Sequence, residues 1–139
     1  MEATKASKIV DRMMDKDLFS QWLGIERLGE GDGYCKLRMT VRPEMCNGFD
    51  IIHGGVTFSF ADSALAFACN SHGRQAVSIE TSISHILPIK PGEVIVATAE
   101  EKSCSNRIGI YDVRVEKENG ELVALFKGTV FRKDKEWEV

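Results

Sequence analysis

The amino-acid sequence predicts an α+β fold in which an antiparallel sheet wraps around one long, buried helix. Residues 55–69 are apolar on nearly all sides, and segments before and after them alternate apolar and polar residues. A helix without a polar face must be covered, and strands of period two have one face suited to covering it. Because the chain contains no repeat or linker, we expect a single domain over residues 1–139.

The N-terminal segment predicts an amphipathic helix over about residues 3–23. Apolar residues recur there at spacings of three to five, which places them on one helix face. They are Ile9, Val10, Met13, Met14 and Leu18. Phe19, Trp22 and Leu23 continue the apolar character toward Gly24.

Two clear alternating runs predict strands on either side of the apolar stretch. Residues 35–41 place Cys, Leu, Met and Val on one face, and residues 77–84 place Val, Ile, Thr and Ile on one face. Pro91-Gly92 marks a turn, and Asn119-Gly120 is a strong hairpin signal before residues 122–131. The sequence therefore predicts about four strands after the central helix.

The apolar stretch itself predicts the central helix over about residues 55–69. Many of its residues are small, and no face is suited to water. At 1.5 Å per residue it would be about 22 Å long, which is too short to cross a bilayer. Residues 70–73, Asn-Ser-His-Gly, tolerate left-handed geometry and end the helix.

Composition limits the classes of partner. Hydrophobic residues make up 43% and charged residues 28% of the chain, and the formal net charge is -3. These values are ordinary for a globular domain and give no basic field for a polyanion, so we expect no nucleic acid partner. No apolar run is typical of a signal peptide or a membrane span, so we expect a cytoplasmic protein without a membrane partner.

The cysteines predict no metal site. The chain has four, widely separated and without a C-x-x-C pair: Cys35, Cys46, Cys69 and Cys104. Their apolar neighbours favour reduced thiols packed as small hydrophobic side chains. We therefore expect neither a zinc site nor another metal.

Asp62 is a charged residue within the otherwise apolar central helix. It lies in mid-helix between Ala61 and Ser63, where capping cannot account for it. A buried carboxylate without partners costs several kcal/mol or takes up a proton. Asp62 is therefore either hydrogen-bonded to a nearby hydroxyl group or held in a cleft as a general base or nucleophile.

His53-Gly54-Gly55 lies where the chain enters this helix. The first amides of a helix lack internal acceptors and lie at the positive end of its dipole. Glycine allows a substrate oxygen to approach them closely, so they could form an oxyanion hole. A glycine pair before a helix also fits a simple entry turn, and a histidine there could be a helix cap.

The segment from Asn47 to Gly73 resembles the hotdog-fold thioesterases of the phenylacetate-degradation (PaaI-like) type. An Asn is followed six residues later by H-G-G, and an Asp follows nine residues after the His. A looser likeness extends from about residue 18 to residue 131. The resemblance implies hydrolysis of an acyl-CoA thioester to free acid and CoA, without a metal or redox cofactor.

The resemblance also implies a role for individual residues. Gly54 would donate its N–H to the oxyanion, and Asn47 would help to hold the thioester carbonyl or the attacking water. Asp62 would come from the facing subunit as general base or nucleophile, and Ser78 would support it or the water. The remaining candidates would contact substrate; they are His53, Gly55 and, at the CoA phosphates, Arg107.

The same resemblance implies homodimers that pair edge to edge, often as a dimer of dimers, with active sites at the dimer interface. Two other functions fit parts of the pattern. A related fold serves acyl-thioester hydratases and dehydratases, in which His53 and Asp62 could share proton transfers. A non-catalytic acyl-CoA sensor is the other alternative, and an intact Asp62 argues against it.

Overall fold

The computed structural model describes residues 3–139, so residues 1 and 2 of the predicted domain lie outside the described residues. The helices are α1 (Lys5–Lys16), α2 (Leu18–Leu23) and α3 (Gly54–Asn70). The strands are β1 (Glu26–Gly31), β2 (Tyr34–Thr40), β3 (Arg74–His85), β4 (Val94–Cys104), β5 (Ile108–Lys117) and β6 (Leu122–Glu136). They form one antiparallel sheet in the order β1-β2-β4-β5-β6-β3.

α3 is the centre of the fold, as the sequence predicts, and extends one residue further at each end. It contacts every strand of the sheet, which confirms a sheet wrapped around one helix. Phe60, Leu65 and Phe67 are almost fully buried, and each such side chain contributes about 1.5–3 kcal/mol by leaving water. A Cβ at Gly128 would lie 2.5 Å from Leu65 Cδ2, so glycine lets β6 approach the helix. No helix described in residues 3–139 is long and apolar enough to cross a membrane.

The single N-terminal helix predicted over residues 3–23 is wrong, because the chain forms two helices that separate at Asp17. The Asp17 carboxylate accepts hydrogen bonds from the Ser20 N–H at 2.9 Å and from the Ser20 hydroxyl at 2.6 Å. Asp17 therefore caps the start of α2 and leaves helical geometry itself, with a ψ of 79°. The apolar spacing continues across the break, which is why the sequence alone indicates one helix.

β3 does not have the single buried face that its sequence predicts. The register with β6 shifts by one residue between Ser78 and Glu80, which is a β-bulge. A bulge moves the following side chains to the opposite face. Val77 and Ile79 are consequently 46% and 59% exposed, whereas Ile83 packs against the core.

β3 is also an end strand of the sheet. One of its edges pairs with β6, and the other edge faces no strand within residues 3–139. A free edge twelve residues long leaves unpaired backbone groups that favour pairing with another chain.

Candidate active site

The first turn of α3 holds one backbone amide that the chain does not use. His53 is the N-cap, and its Nδ1 accepts a hydrogen bond from the Gly55 N–H at 3.0 Å. The Val56 N–H donates to the His53 carbonyl at 2.9 Å. Among residues 3–139, no hydrogen bond takes up the Gly54 N–H. Because this amide lies at the positive end of the helix dipole, it is available to an anionic oxygen.

Gly54 lines a cavity of about 340 Å³. Its lining includes both Gly54, the predicted oxyanion donor, and Asn47, which is predicted to hold the thioester carbonyl or the attacking water. Asn47 is held in place because its Oδ1 accepts from the Phe49 N–H at 2.9 Å and its own N–H donates to the Ile51 carbonyl at 2.8 Å. These bonds leave the Asn47 side-chain NH₂ group free to donate into the cavity.

His85 lines the same cavity, although no pattern in the sequence predicts a role for it. A Cβ at Gly54 would lie 3.2 Å from His85 Nε2, so the imidazole ring is adjacent to the helix entry. His85 is the last residue of β3 and is 32 positions from His53 along the chain. Strand order brings it to Gly54, and no local sequence signal could have revealed this.

Asp62 lies on the face of α3 that looks toward β6. Phe58, one turn earlier, packs edge-on against Phe126 at a ring-centroid distance of 5.3 Å, and Leu65 packs on Gly128. No hydrogen bond from the described part of the chain reaches the Asp62 carboxylate. Burial, and secondly the like charge of Asp17, raise the pKa of the Asp62 carboxyl above its ordinary value.

The alternative that Asp62 is a structural residue bonded to a nearby hydroxyl group therefore finds no support. Ser63, its neighbour, pairs with Ser20 instead, with 2.8 Å between the two hydroxyl oxygens. Ser59 donates its hydroxyl to the Gly55 carbonyl at 2.8 Å. A carboxylate left without donors in a partly buried position is free to act on water or substrate.

Ser78 lies on the helix-facing side of the sheet. It pairs with Val130, which is almost fully buried, and paired residues of antiparallel strands share a face. The alternating pattern of residues 77–84 does not predict this orientation, because the bulge after Ser78 moves the following side chains to the opposite face of the sheet.

The chain does not bring Gly54 and Asp62 to one point. They are eight residues apart on one helix, which corresponds to about 12 Å along its axis at 1.5 Å per residue. A carbonyl carbon has to lie about 3 Å from both its nucleophile and its oxyanion donor. If Gly54 and Asp62 act on the same carbonyl carbon, they therefore have to come from two different chains.

Arg107 lies outside the cavity at Gly54 and is engaged elsewhere. Its guanidinium group donates to Asp134 Oδ2 at 2.6 Å and packs over the Phe131 ring at 5.8 Å. The hydrogen bond from Arg107 lowers the pKa of the Asp134 carboxyl. One group of side chains in residues 3–139 is close enough to hold a metal ion, and it includes neither Asp62 nor Asn47.

A sheet that wraps around a single buried helix, with an open amide at the helix entry and a carboxylate two turns further on, defines a hotdog-fold protein of the thioester-hydrolysing class. Comparison with known proteins agrees. The chain belongs to the thioesterase superfamily, whose family model matches residues 49–124.

Relatives and solved structures support this assignment over most of the chain. The acyl-coenzyme A thioesterase PaaI of Escherichia coli is 35% identical and aligns with 92% of this chain and 91% of its own length. The structure of the E. coli PaaI protein from the phenylacetic acid degradation operon matches with a TM-score of 0.93, 34% identity and coverage of 95% and 96%. A variant of the phenylacetic acid degradation protein PaaI of Thermus thermophilus matches with a TM-score of 0.81, 37% identity and coverage of 84% and 100%.

Proposed function

We propose that this protein hydrolyses acyl-CoA thioesters to the free acid and CoA. One observation carries the proposal: α3 presents an unused N–H at Gly54 and, two turns later, a carboxylate at Asp62 without a hydrogen-bond partner in the described chain. An amide donor and a basic carboxylate are what hydrolysis of a thioester carbonyl requires. The name of the E. coli relative, an acyl-coenzyme A thioesterase, supports the same substrate class.

Two chains would build each site. The distance of about 12 Å between Gly54 and Asp62 along one helix supports a second half-site that comes from a partner. The free edge of β3, with Val77 and Ile79 exposed beside it, is the surface on which two copies would pair edge to edge. A two-fold dimer of this kind has two equivalent sites, and pairs of dimers would form the tetramer.

In the proposed reaction, Asp62 of one subunit removes a proton from water, and the oxygen attacks the thioester carbonyl. The developing oxyanion accepts a hydrogen bond from the Gly54 N–H of the other subunit, and Asn47 of that subunit lies beside Gly54. The C–S bond then breaks, CoA leaves as the thiolate, and the proton on Asp62 returns to solvent or sulfur. The raised pKa of the Asp62 carboxyl makes it a stronger base for the first step.

Asp62 could instead attack the carbonyl directly and form an anhydride that water opens. A single turnover in H₂¹⁸O detects the second route when water opens the anhydride at the Asp62 carboxyl carbon. Attack by water puts ¹⁸O into the product acid. Opening of an anhydride at the Asp62 carboxyl carbon leaves ¹⁸O on the enzyme instead, where mass spectrometry of the peptide containing Asp62 detects it.

Several residues have supporting roles in this proposal. Ser78 would hold Asp62 or the water from the helix-facing side of the sheet, and His85 would line the substrate cavity. His53 would act by capping α3, since its Nδ1 already accepts the Gly55 N–H. For Gly55 to contact substrate, that bond would have to open, and for Arg107 to bind a CoA phosphate, its pairing with Asp134 would have to open.

The proposal places the enzyme in the cytoplasm, where acyl-CoA is available and thiols stay reduced. All four cysteines are free, in agreement with such a compartment. The E. coli relative belongs to a phenylacetic acid degradation operon, so aromatic acyl groups from that route are the first substrates to test.

The test is a panel of acyl-CoA esters assayed for thiol release with the wild-type protein and the Asp62→Asn variant. Release by the wild type alone supports the proposal. Hydration of an enoyl-CoA without thiol release would identify a hydratase, and tight binding without either reaction would identify a sensor. Both of these outcomes reject the proposal.

Mixed dimers test the shared site directly. Chains carrying Asp62→Asn and chains carrying Gly54→Pro should each be inactive alone, but one site of every mixed dimer keeps both intact halves. Random reassortment makes half of the dimers mixed, so about a quarter of the wild-type activity should return on co-refolding. No recovery in demonstrated mixed dimers would show that Gly54 and Asp62 act from the same chain.

A further inference from the structure

A cluster of three metal-ligating side chains lies beyond the C-terminal end of α3, away from the proposed site. His72 Nε2, a carboxylate oxygen of Glu101 and Cys104 Sγ all lie within 4.8 Å of one another. His72 Nε2 and Glu101 Oε1 are already in contact at 2.7 Å. The proposed hydrolysis does not use this cluster, although Glu101 also accepts a hydrogen bond from the buried Tyr111 hydroxyl.

A bulge in β4 creates the cluster. The register with β5 shifts between Glu101 and Ser103, so that Glu101 pairs with Tyr111 and Cys104 pairs with Gly109. Residues 109 and 111 share a face of β5, so Glu101 and Cys104 share a face of β4 although they are three positions apart. That face is the one toward α3, because Tyr111 is buried in the core.

The ligands are held by the structure around them. The Tyr111 hydroxyl donates to Glu101 Oε1 at 2.8 Å, and His72 contacts the same oxygen, so the Glu101 carboxylate is fixed in position. Ser71, directly before His72, is fully buried and donates its hydroxyl to the Gly31 carbonyl at 2.6 Å.

We propose that His72, Glu101 and Cys104 form a binding site for a divalent metal ion of the zinc class. Imidazole, carboxylate and thiolate are the three zinc ligand types, at about 2.0–2.3 Å from the ion, which puts tetrahedral ligand atoms about 3.3–3.8 Å apart. Small side-chain rotations would reach this spacing from the present one. The ion would join the end of α3 to β4, with water as the fourth ligand.

Binding has a defined proton balance. The Cys104 thiol loses its proton to solvent and binds as the thiolate. His72 binds through Nε2 as a neutral ring with its proton on Nδ1, and the ion replaces the hydrogen bond between His72 and Glu101. At least one proton is therefore released for each ion bound.

Cobalt provides the test, because Co²⁺ bound to a thiolate gives a charge-transfer band in the near ultraviolet. The chelator-treated full-length protein is titrated with Co²⁺ and then with Zn²⁺. We expect one Co²⁺ per chain, a thiolate band that Zn²⁺ removes, and a melting temperature that rises with Zn²⁺. Absence of the band in wild-type protein at saturating Co²⁺ would overturn the proposal.

Variants assign the ligands. Cys104→Ser should abolish the band and the thermal shift, and His72→Gln should weaken Co²⁺ binding by at least about tenfold. Cys46→Ser is the matched control, because Cys46 is also a free, incompletely buried thiol but lies outside the cluster. A band that survives Cys104→Ser, or one that disappears in Cys46→Ser, would place the ion elsewhere and reject the site.

Discussion

The two ends of α3 differ in how completely their polar groups are satisfied. At the N-terminal end, the Gly54 N–H and the Asn47 NH₂ group have no partner among residues 3–139 and face a cavity. At the C-terminal end, Asn70 donates to the carbonyls of Ala66 and Ala76 and accepts from the Ala76 N–H and from Trp137 Nε1. Open groups can bind a substrate, whereas satisfied groups stabilise the fold.

This contrast predicts that substitutions from the N-terminal end to the middle of α3 affect the reaction and that substitutions at its C-terminal end affect stability. Asp62 should give the largest effect. Asp62→Asn should lower kcat by about 10²- to 10⁴-fold, since it removes the base or nucleophile and keeps the shape. Acyl-CoA hydrolysis measures the loss, and circular dichroism checks the fold.

Asp17→Asn is the matched control, because Asp17 is the neighbouring carboxylate but caps α2. It should change kcat far less than Asp62→Asn. A normal kcat in folded Asp62→Asn protein would contradict the prediction that this part of α3 carries the reaction.

Gly54→Pro should give the second largest effect. Proline is tolerated at the first position of a helix, and His53 already has the extended backbone, with a ψ of 132°, that a following proline requires. The substitution therefore removes one N–H with little change to the helix, and we expect kcat to fall by about 10²- to 10³-fold.

Gly54→Ala separates the amide from the crowding beside it. Its N–H is retained, and its Cβ would meet only the His85 side chain, at 3.2 Å. A smaller loss than for Gly54→Pro indicates that the N–H matters. Equal losses would show that space beside His85, and not the amide, is what glycine provides.

Asn70→Ala should act on stability and leave the chemistry unchanged. It removes the partners of the buried Ala76 N–H and of Trp137 Nε1, and groups left unpaired in this way cost about 1–3 kcal/mol. Urea denaturation measures the free energy of unfolding, with Ser59→Ala from the N-terminal half as the comparison. A larger loss of stability in Ser59→Ala would reverse the contrast between the two ends.

The smallest effect that we predict is the contribution of Asp62 to the pH dependence of protein stability. Because its folded-state pKa is raised, folding binds a proton, so its contribution to stability falls as pH rises from the ordinary value of 3.8 through the raised one. Asp62→Asn should therefore melt slightly above wild type at neutral pH, and the difference should vanish below pH 3.8. A lower melting temperature for Asp62→Asn at neutral pH would contradict the raised pKa.

The same pKa has the opposite consequence for the reaction. Asp62 has to be ionised to act, so kcat should decline as pH falls through the raised pKa. Protein stability and activity would thus move in opposite directions over this range.

The sequence predicts the parts of the fold that follow from composition and spacing. α3 is visible because nothing in residues 55–69 suits water, and β2 is visible because residues 35–41 alternate without interruption. β1 escapes prediction because its two glycines, Gly29 and Gly31, leave no alternating pattern, and because one edge of it is free.

The candidate site shows a similar division. Asn47, Gly54 and Asp62 stand out through local spacing within one segment, so the sequence identifies them together. His85 and the His72 cluster depend on which strands become neighbours and on two bulges that shift the side chains by one position. A pattern of period two assumes an uninterrupted strand, so it cannot reveal a pair such as Glu101 and Cys104.

Pairing of two copies at the free edge of β3, as proposed above, would make catalysis depend on protein concentration. If half of each site comes from a second copy, dilution below the dissociation constant of the dimer separates the halves before any chain unfolds. In that range the rate rises with the square of the enzyme concentration, so the amount of protein itself regulates activity. Well above that dissociation constant every chain would be paired, and the edge that could otherwise recruit foreign strands would be covered.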